Sequence, residues 1–183
     1  MRVKGLALAA LLTALTAGTG GLSIPLPFTP VPITLQVFFV FLAGSLAGPF
    51  YGALSMLLYL VMGALGLPIF SRFGAGLGHL IGPTGGYLFA FPIAAAINGL
   101  ITSRRSSTLL AEYVKVLCGM MAALASIYII GVWWLSIYFH RSVLDTFLLG
   151  ALPFIPVDVL KMVVAAPIAV RLRRELASIL SRG

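Results

Sequence analysis

Two side chains of opposite charge, Asp158 and Lys161, lie three residues apart in the apolar stretch 152–162. Pro156 precedes them, and proline is favoured in the first turn of a helix. If a helix begins near this proline, residues at i and i+3 share one face, so the carboxylate and the ammonium can pair. Charged groups are costly inside a membrane and are tolerated where they pair or line a cavity. The spacing therefore predicts either a ligand-binding pair or a structural ion pair that holds helices together.

The basic cluster that follows, Arg171, Arg173 and Arg174, indicates how deep this pair lies in a membrane. A helix rises about 1.5 Å per residue, so Asp158 and Arg171 are separated by roughly 20 Å. The hydrocarbon layer of a bilayer is about 30 Å thick. The pair is therefore predicted to lie inside the membrane, nearer the side opposite the basic cluster.

The composition is that of a membrane protein. Of the 183 residues, 61% are hydrophobic and only 9% are charged, whereas soluble domains carry about 25% charged residues. The formal net charge is +8, but the basic residues stand at the ends of apolar runs, which indicates orientation in a membrane rather than nucleic-acid binding. The single cysteine, Cys118, allows no intrachain disulfide and no cysteine metal site.

Prolines, glycines and charges divide the chain into predicted spans. Residues 5–71 carry no charge and suit three spans of about 20 residues. The prolines of the loop 23–32 exclude a helix there, and Gly48 with Pro49 makes a second stop. The predicted fold class is an all-α integral membrane protein, a bundle of six transmembrane helices with both termini cytoplasmic. We expect one transmembrane domain over 1–183, with spans at about 5–22, 33–47, 50–66, 85–102, 112–138 and 145–170.

The first span presents small residues along one side. Ala7, Ala10, Ala14 and Ala17 follow helical spacing, so this face is nearly flat. Flat faces of small residues let transmembrane helices approach closely. We therefore expect a retained span rather than a cleaved signal peptide. The face predicts a contact either with a partner protein or with another helix of the same chain.

The glycine-rich loop, residues 67–84, cannot form a stable helix because of its glycines and prolines. It stays apolar apart from Arg72 and His79. Non-helical backbone near membrane depth must be buried in protein or line a cavity, and glycine lets a ligand approach main-chain N–H groups. The Gly-Lys-Ser/Thr signature of a phosphate-binding loop is missing. His79 has no second ligand nearby in sequence, so we interpret it as a loop residue rather than a metal ligand.

Six spans would place both termini, with most of the basic residues, on the cytoplasmic side. The loops 23–32 and 67–84 and the polar pair then gather toward the outside, which predicts an outward-opening pocket for a small, partly polar organic molecule. Lys161 could hold a ligand carboxylate, Asp158 could accept from N–H groups, and Gln36 could donate and accept. Apolar walls could come from Phe28, Phe70, Phe73 and Tyr87.

Catalysis finds little support in the sequence. The four acidic residues include no paired carboxylates, and there is no nucleophile elbow. A transport protein is therefore predicted, energised by gradients or by partner subunits. The alternatives are an ion-coupled or proton-coupled carrier for another vitamin or heterocycle, a membrane enzyme, and a purely structural membrane subunit.

Three motifs resemble the BioY family, the biotin-binding S components of energy-coupling-factor (ECF) transporters. They are Ser-Ile-Pro-Leu-Pro-Phe-Thr-Pro-Val-Pro-Ile-Thr-Leu-Gln at 23–36, Gly-Pro-Thr-Gly-Gly-Tyr at 82–87 and Phe-Ile-Pro-Val-Asp-Val-Leu-Lys at 154–161. They occur in the family's order, and the resemblance covers nearly the whole chain. The sequence departs from the family pattern at 71–79, where a histidine is present and glycine is less frequent.

The resemblance implies high-affinity biotin binding in a pocket open to the outside of a prokaryotic plasma membrane. The loops after spans one and three would cap the pocket, and the S component would topple in the membrane to release its ligand. It implies a T component and two ATPase subunits as partners, with a solitary or self-associating form left open, and no cofactor beside the transported biotin. The predicted ligand-binding residues are Asp158, Lys161, Gln36, Tyr87, Phe73, Gly74 and Gly76, and the predicted docking residues are Ala10 and Ala14.

Overall fold

Helices make up most of the chain in a computed structural model, which describes the backbone of residues 2–104 and 106–181 and the side chains of residues 3–104 and 106–175. A β-hairpin and short turns connect them. In chain order the elements are α1 (Arg2–Gly20), β1 (Ser23–Leu26), β2 (Thr29–Thr34), α2 (Gln36–Ala64), a 3-10 turn (Ser71–Phe73), α3 (Leu77–Leu80), α4 (Gly85–Thr102), α5 (Leu109–Phe139), α6 (Val143–Gly150) and α7 (Ile155–Ser181).

The proline-rich loop forms an antiparallel hairpin, in which Ser23 pairs with Thr34 and Leu26 with Thr29. The absence of helix from this stretch agrees with the prediction, but the predicted all-α class omitted the hairpin. Both strands of a two-stranded ribbon are edge strands, where proline is tolerated because one side of the backbone needs no ladder partner. Because the hairpin extends to Thr34, the next helix begins at Gln36 rather than near residue 33.

Helix α2 consists of two arms joined at Gly48. The backbone there has φ 77° and ψ −177°, a conformation that glycine adopts readily, and Pro49 follows. Gln36 on the first arm donates to the Tyr59 hydroxyl on the second, although a straight helix would separate them by roughly 35 Å. The arms therefore lie side by side and run in opposite directions, and the predicted stop at Gly48 and Pro49 is observed.

The remaining helices pack around the two arms of α2. The Asn98 side chain of α4 donates to the Phe41 carbonyl at 2.7 Å and to the Ser45 hydroxyl at 3.1 Å. On the other side, the Thr13 hydroxyl of α1 donates to the Ser55 carbonyl at 2.8 Å. The apolar core lies between α1, α2, α4, α5 and α7.

The last predicted span is broken. Helices α6 and α7 are separated by a short turn and are bent by 54° relative to each other. Within the described residues, four helices are long and apolar enough to cross a membrane, or five if this bent pair forms one span. The chain is thus a mostly helical, multi-pass membrane protein.

Candidate ligand-binding site

A cavity, called here the central cavity, lies between the β-hairpin, the glycine-rich loop and helices α4, α5 and α7. Its walls are largely apolar and include Val31, Leu88, Phe91, Ile127 and Phe154. A small number of polar side chains also lines it. Apolar walls with a few placed polar groups are typical of sites for small organic ligands.

The Asp158–Lys161 pair faces this cavity from the first turns of α7. Lys161 Nζ lies 2.6 Å from Asp158 Oδ1, and the two side chains are only 10% and 6% exposed. Helix α7 begins at Ile155, directly before Pro156, so the predicted i, i+3 pairing is confirmed. The apolar walls keep the dielectric constant low, which strengthens hydrogen bonds made by these charges.

Tyr128 of α5 completes this polar cluster, and sequence reasoning missed it. Its hydroxyl donates to Asp158 Oδ2 at 2.6 Å, so one protein donor occupies each oxygen of the carboxylate. A carboxylate oxygen has more than one lone pair, and Asp158 therefore retains acceptor capacity toward the cavity. The sequence did contain a hint of this role. Tyr128 lies far from both ends of an apolar helix, where an aromatic residue without a polar atom would cost less to bury.

Gln36 and Tyr87 line the central cavity, but their polar groups already have partners. The Gln36 side chain accepts from the Thr34 hydroxyl at 3.1 Å and donates to Tyr59, whose hydroxyl donates to the Ile69 carbonyl at 3.0 Å. This chain of bonds fixes the start of the glycine-rich loop. Contact between Gln36 and a ligand stays a prediction.

Tyr87 crosses the bundle and donates from its hydroxyl to the Gly150 carbonyl at 2.9 Å. Its ring packs directly on Gly131, where an added Cβ would come within 2.3 Å of a ring carbon. Tyr87 thereby joins α4 to the end of α6, and its ring forms part of the cavity wall. A hydrogen bond from Tyr87 to a ligand stays a prediction.

The predicted loop residues Phe73, Gly74 and Gly76 are not among the residues that line the central cavity. Phe73 is 64% exposed. The Gly74 N–H donates to the Ser71 carbonyl at 3.1 Å, and the Gly76 N–H donates to the Gly63 carbonyl at 2.7 Å. These donors are thus used within the chain, and ligand contact through them stays a prediction.

Other residues of the loop do reach the cavity. Ser71 and Thr84 line it, although neither was predicted. His79 is held against the loop, with its ring stacked on Phe70 at a centroid separation of 5.2 Å and its Nε2 3.3 Å from the Ser71 hydroxyl. Burial lowers the pKa of His79 below its usual value.

Two of the predicted aromatic wall residues lie elsewhere. Phe70 is fully buried and packs edge-on against Tyr59, and Phe28 is 55% exposed and lines a separate crevice near α5 and α6. Apolar aromatic side chains in loops can pack in many directions, so their sequence positions alone did not determine which cavity they face.

The small-residue face of α1 is exposed at Ala7, Ala10, Ala14 and Gly18. The opposite side of the helix, with Leu12 among its residues, is buried against the bundle. Ala17, the last residue of the predicted face, is partly buried against the core. Packing inside the same chain therefore accounts for Ala17 but not for Ala7, Ala10 and Ala14. Docking of a partner on Ala10 and Ala14 stays a prediction.

The fold and the cavity define a class: a multi-pass membrane protein in which a buried polar pair faces an apolar-walled cavity. Within that class, the chain belongs to the BioY family, whose model matches residues 1–178. Members of this family are transporters and not enzymes.

Relatives along the whole length support this assignment. The chain is 45% identical over 175 residues to the probable biotin transporter BioY of Pyrococcus horikoshii, covering 94% of this chain and 98% of that protein. It is 42% identical over 166 residues to the biotin transporter BioY of Thermotoga maritima, covering 91% and 94%.

A solved structure matches as well. The crystal structure of the S-component for biotin from an ECF-type ABC transporter superposes with a TM-score of 0.83 at 32% sequence identity, covering 94% of this chain and 92% of that one.

Proposed function

We propose that this protein binds biotin and takes it up across the plasma membrane as the substrate-specific S component of an ECF-type transporter. The observation that carries the proposal is the cluster of Asp158, Lys161 and Tyr128 facing a cavity with apolar walls. The relatives named as biotin transporters and the biotin S-component structure supply the ligand's identity.

The chemistry of biotin matches the chemistry of this cluster. Its ureido ring offers two N–H donors and one carbonyl acceptor, which suits Asp158 as the acceptor and Lys161 as the donor. Its sulfur-containing ring and its hydrocarbon tail are apolar and suit walls such as Phe91 and Phe154. Hydrogen bonds to charged groups in a site shielded from water are worth about 1.5–3 kcal/mol each, enough to select this ligand.

The proposed topology has six membrane crossings with both termini in the cytoplasm. The crossings are α1, the two antiparallel arms of α2, α4, α5 and the bent pair α6–α7. The side-by-side arms support this count, and the basic residues that follow α4 and lie near the end of α7 support the orientation. The hairpin and the glycine-rich loop would then cap the central cavity from the outside.

The proposed partners are a transmembrane T component and two ATPase subunits, docked through the exposed face of α1. The exposure of Ala10 and Ala14 supports this, because small residues let helices approach closely. Replacing both by leucine should leave biotin affinity within about twofold and should prevent co-purification with co-expressed T component and ATPases. Normal co-purification of the double variant would place docking elsewhere.

The experiment that tests the proposed function is biotin binding to purified, detergent-solubilised protein. We expect saturable binding at one site per chain, abolished when the biotin is first captured by avidin. A monodisperse and folded preparation that binds no biotin would overturn the proposal. A screen of other vitamins would then test the ion-coupled carrier.

A further inference from the structure

A second cavity adjoins the central cavity and is called here the outer cavity. Pro32, Ser71 and Thr84 line both, so the two meet at these residues. The outer cavity is further lined by Arg72 and His79. A ligand seated in the central cavity can therefore extend between the hairpin and the glycine-rich loop into the outer one.

The charges of the two cavities differ. In the central cavity, the lining side chains of opposite charge are Asp158 and Lys161, and their formal charges cancel in a 2.6 Å ion pair. Lys161 thus has its charge already compensated. Arg72 in the outer cavity has no hydrogen-bond or ion-pair partner for its guanidinium among the side chains that the structure describes, residues 3–104 and 106–175. Burial lowers the pKa of His79, which favours its uncharged form.

The backbone at Arg72 adopts a strained conformation. Arg72 and the next residue, Phe73, have φ values of 58° and 56°, in the left-handed region that side chains other than glycine rarely adopt. The Arg72 N–H donates to the Ser23 hydroxyl at 3.0 Å, which ties this strained turn to the β-hairpin. Strained residues of this kind concentrate at ligand-binding elements. Here the strained residue Arg72 is also one that lines the outer cavity.

We propose that the outer cavity is a subsite for the carboxylate of the ligand, with Arg72 as its counter-charge and as a determinant of specificity for acids over uncharged analogues. The inference deepens the proposed function and rests on it. The uncharged ring of biotin occupies the net-neutral central cavity, and its carboxylate-bearing tail points outward to the unpaired guanidinium. This proposal moves the carboxylate from Lys161, the residue that the sequence alone suggested, to Arg72.

The test compares biotin with its uncharged primary amide, each titrated into wild-type protein and the variants Arg72→Gln and Arg72→Lys. Ion pairs at exposed sites contribute only modestly to affinity, so we expect Arg72→Gln to weaken biotin binding about two- to fivefold. The same variant should leave binding of the amide unchanged, and Arg72→Lys should retain most of the preference for the acid. The preference should shrink as salt is raised, because the contact is exposed to solvent.

Arg174→Gln is the matched control, because Arg174 is exposed and lines neither cavity. It should leave both affinities unchanged. Equal weakening of acid and amide by Arg72→Gln, or no change with either, would overturn the subsite. So would a preference for the acid that persists in Arg72→Gln and disappears in Lys161→Gln.

Two further outcomes separate the subsite from the proposed function. If wild-type protein binds neither ligand, the proposed function fails; if it binds both equally well at low salt, only the subsite fails. Should Arg72→Gln not fold, the ratio of the two wild-type affinities decides. A ratio above two that falls with added salt supports the subsite, and any smaller or salt-independent ratio overturns it.

Discussion

Two buried ion pairs occupy different parts of this molecule and differ in what surrounds them. Asp158 and Lys161 face the central cavity, with side chains 6% and 10% exposed. Glu112 and Arg173 lie away from that cavity, with side chains 4% and 11% exposed and a separation of 2.8 Å. Both pairs are equally withdrawn from solvent, so burial does not distinguish their roles.

The partners of the Glu112–Arg173 pair are backbone groups from several elements. The Arg173 guanidinium also donates to the carbonyls of Ser45 and Thr102, and Glu112 accepts from the Ser106 N–H at 2.7 Å. The pair therefore ties the first arm of α2, the end of α4, the start of α5 and α7 together. Its hydrogen-bonding capacity is directed at the protein, which is the arrangement of a structural tie.

The Asp158–Lys161 pair joins residues of the same helix and takes one further donor, Tyr128, from a neighbour. Its remaining hydrogen-bonding capacity faces the apolar-walled central cavity. We therefore assign the proposed ligand contact to the pair that faces the cavity. A similar pair enclosed by carbonyl groups holds helices.

The largest effect is expected for Glu112→Gln, which removes the carboxylate opposite a buried guanidinium. Breaking one partner of a buried pair costs about 3–5 kcal/mol, so the melting temperature in detergent should fall clearly, while the folded fraction should still bind biotin with wild-type affinity. Arg171→Gln is the control, because its pair with Glu175 is 83% and 55% exposed and is worth about 1 kcal/mol or less. Equal melting temperatures for the two variants would contradict a structural role for the Glu112–Arg173 pair.

For Asp158→Asn we expect the reverse, a large loss of biotin affinity with a smaller loss of stability. The variant loses the anionic acceptor, and biotin affinity should fall by about 100-fold, in line with the loss of one or two charge-assisted hydrogen bonds. The melting temperature should change less than in Glu112→Gln, since water in the cavity can solvate Lys161. Lys161→Ala should weaken binding to a similar extent. Wild-type affinity in both variants, measured by titration, would exclude this pair from the ligand site.

The smallest of the three effects is expected for Tyr128→Phe. The change removes the hydroxyl that orients Asp158 and keeps the ring in the cavity wall. Losing one hydrogen bond to a charged group costs about 1.5 kcal/mol, so biotin affinity should fall roughly tenfold. Tyr113→Phe is the matched control on the same helix, outside the cavity lining, and should bind normally. An unchanged affinity in Tyr128→Phe would show that Asp158 needs no second donor.

The sequence by itself determined the features that depend on local covalent chemistry. Prolines excluded helix from 23–32, Gly48 with Pro49 divided α2, and the i, i+3 spacing paired Asp158 with Lys161. Each of these outcomes depends on residues a few positions apart, because backbone sterics and helix periodicity act over that range. The apolar composition determined the membrane environment in the same direct way.

Only the tertiary structure decided which distant groups meet. Tyr128 reaches Asp158 from 30 residues away, and Arg173 reaches the Ser45 carbonyl from 128 residues away. The glycine-rich loop likewise directs Ser71 into the central cavity and Arg72 into the outer one, while Phe73 stays largely exposed. Such contacts depend on how whole helices pack and on a strained turn held by another element, and neither leaves a regular spacing in the sequence.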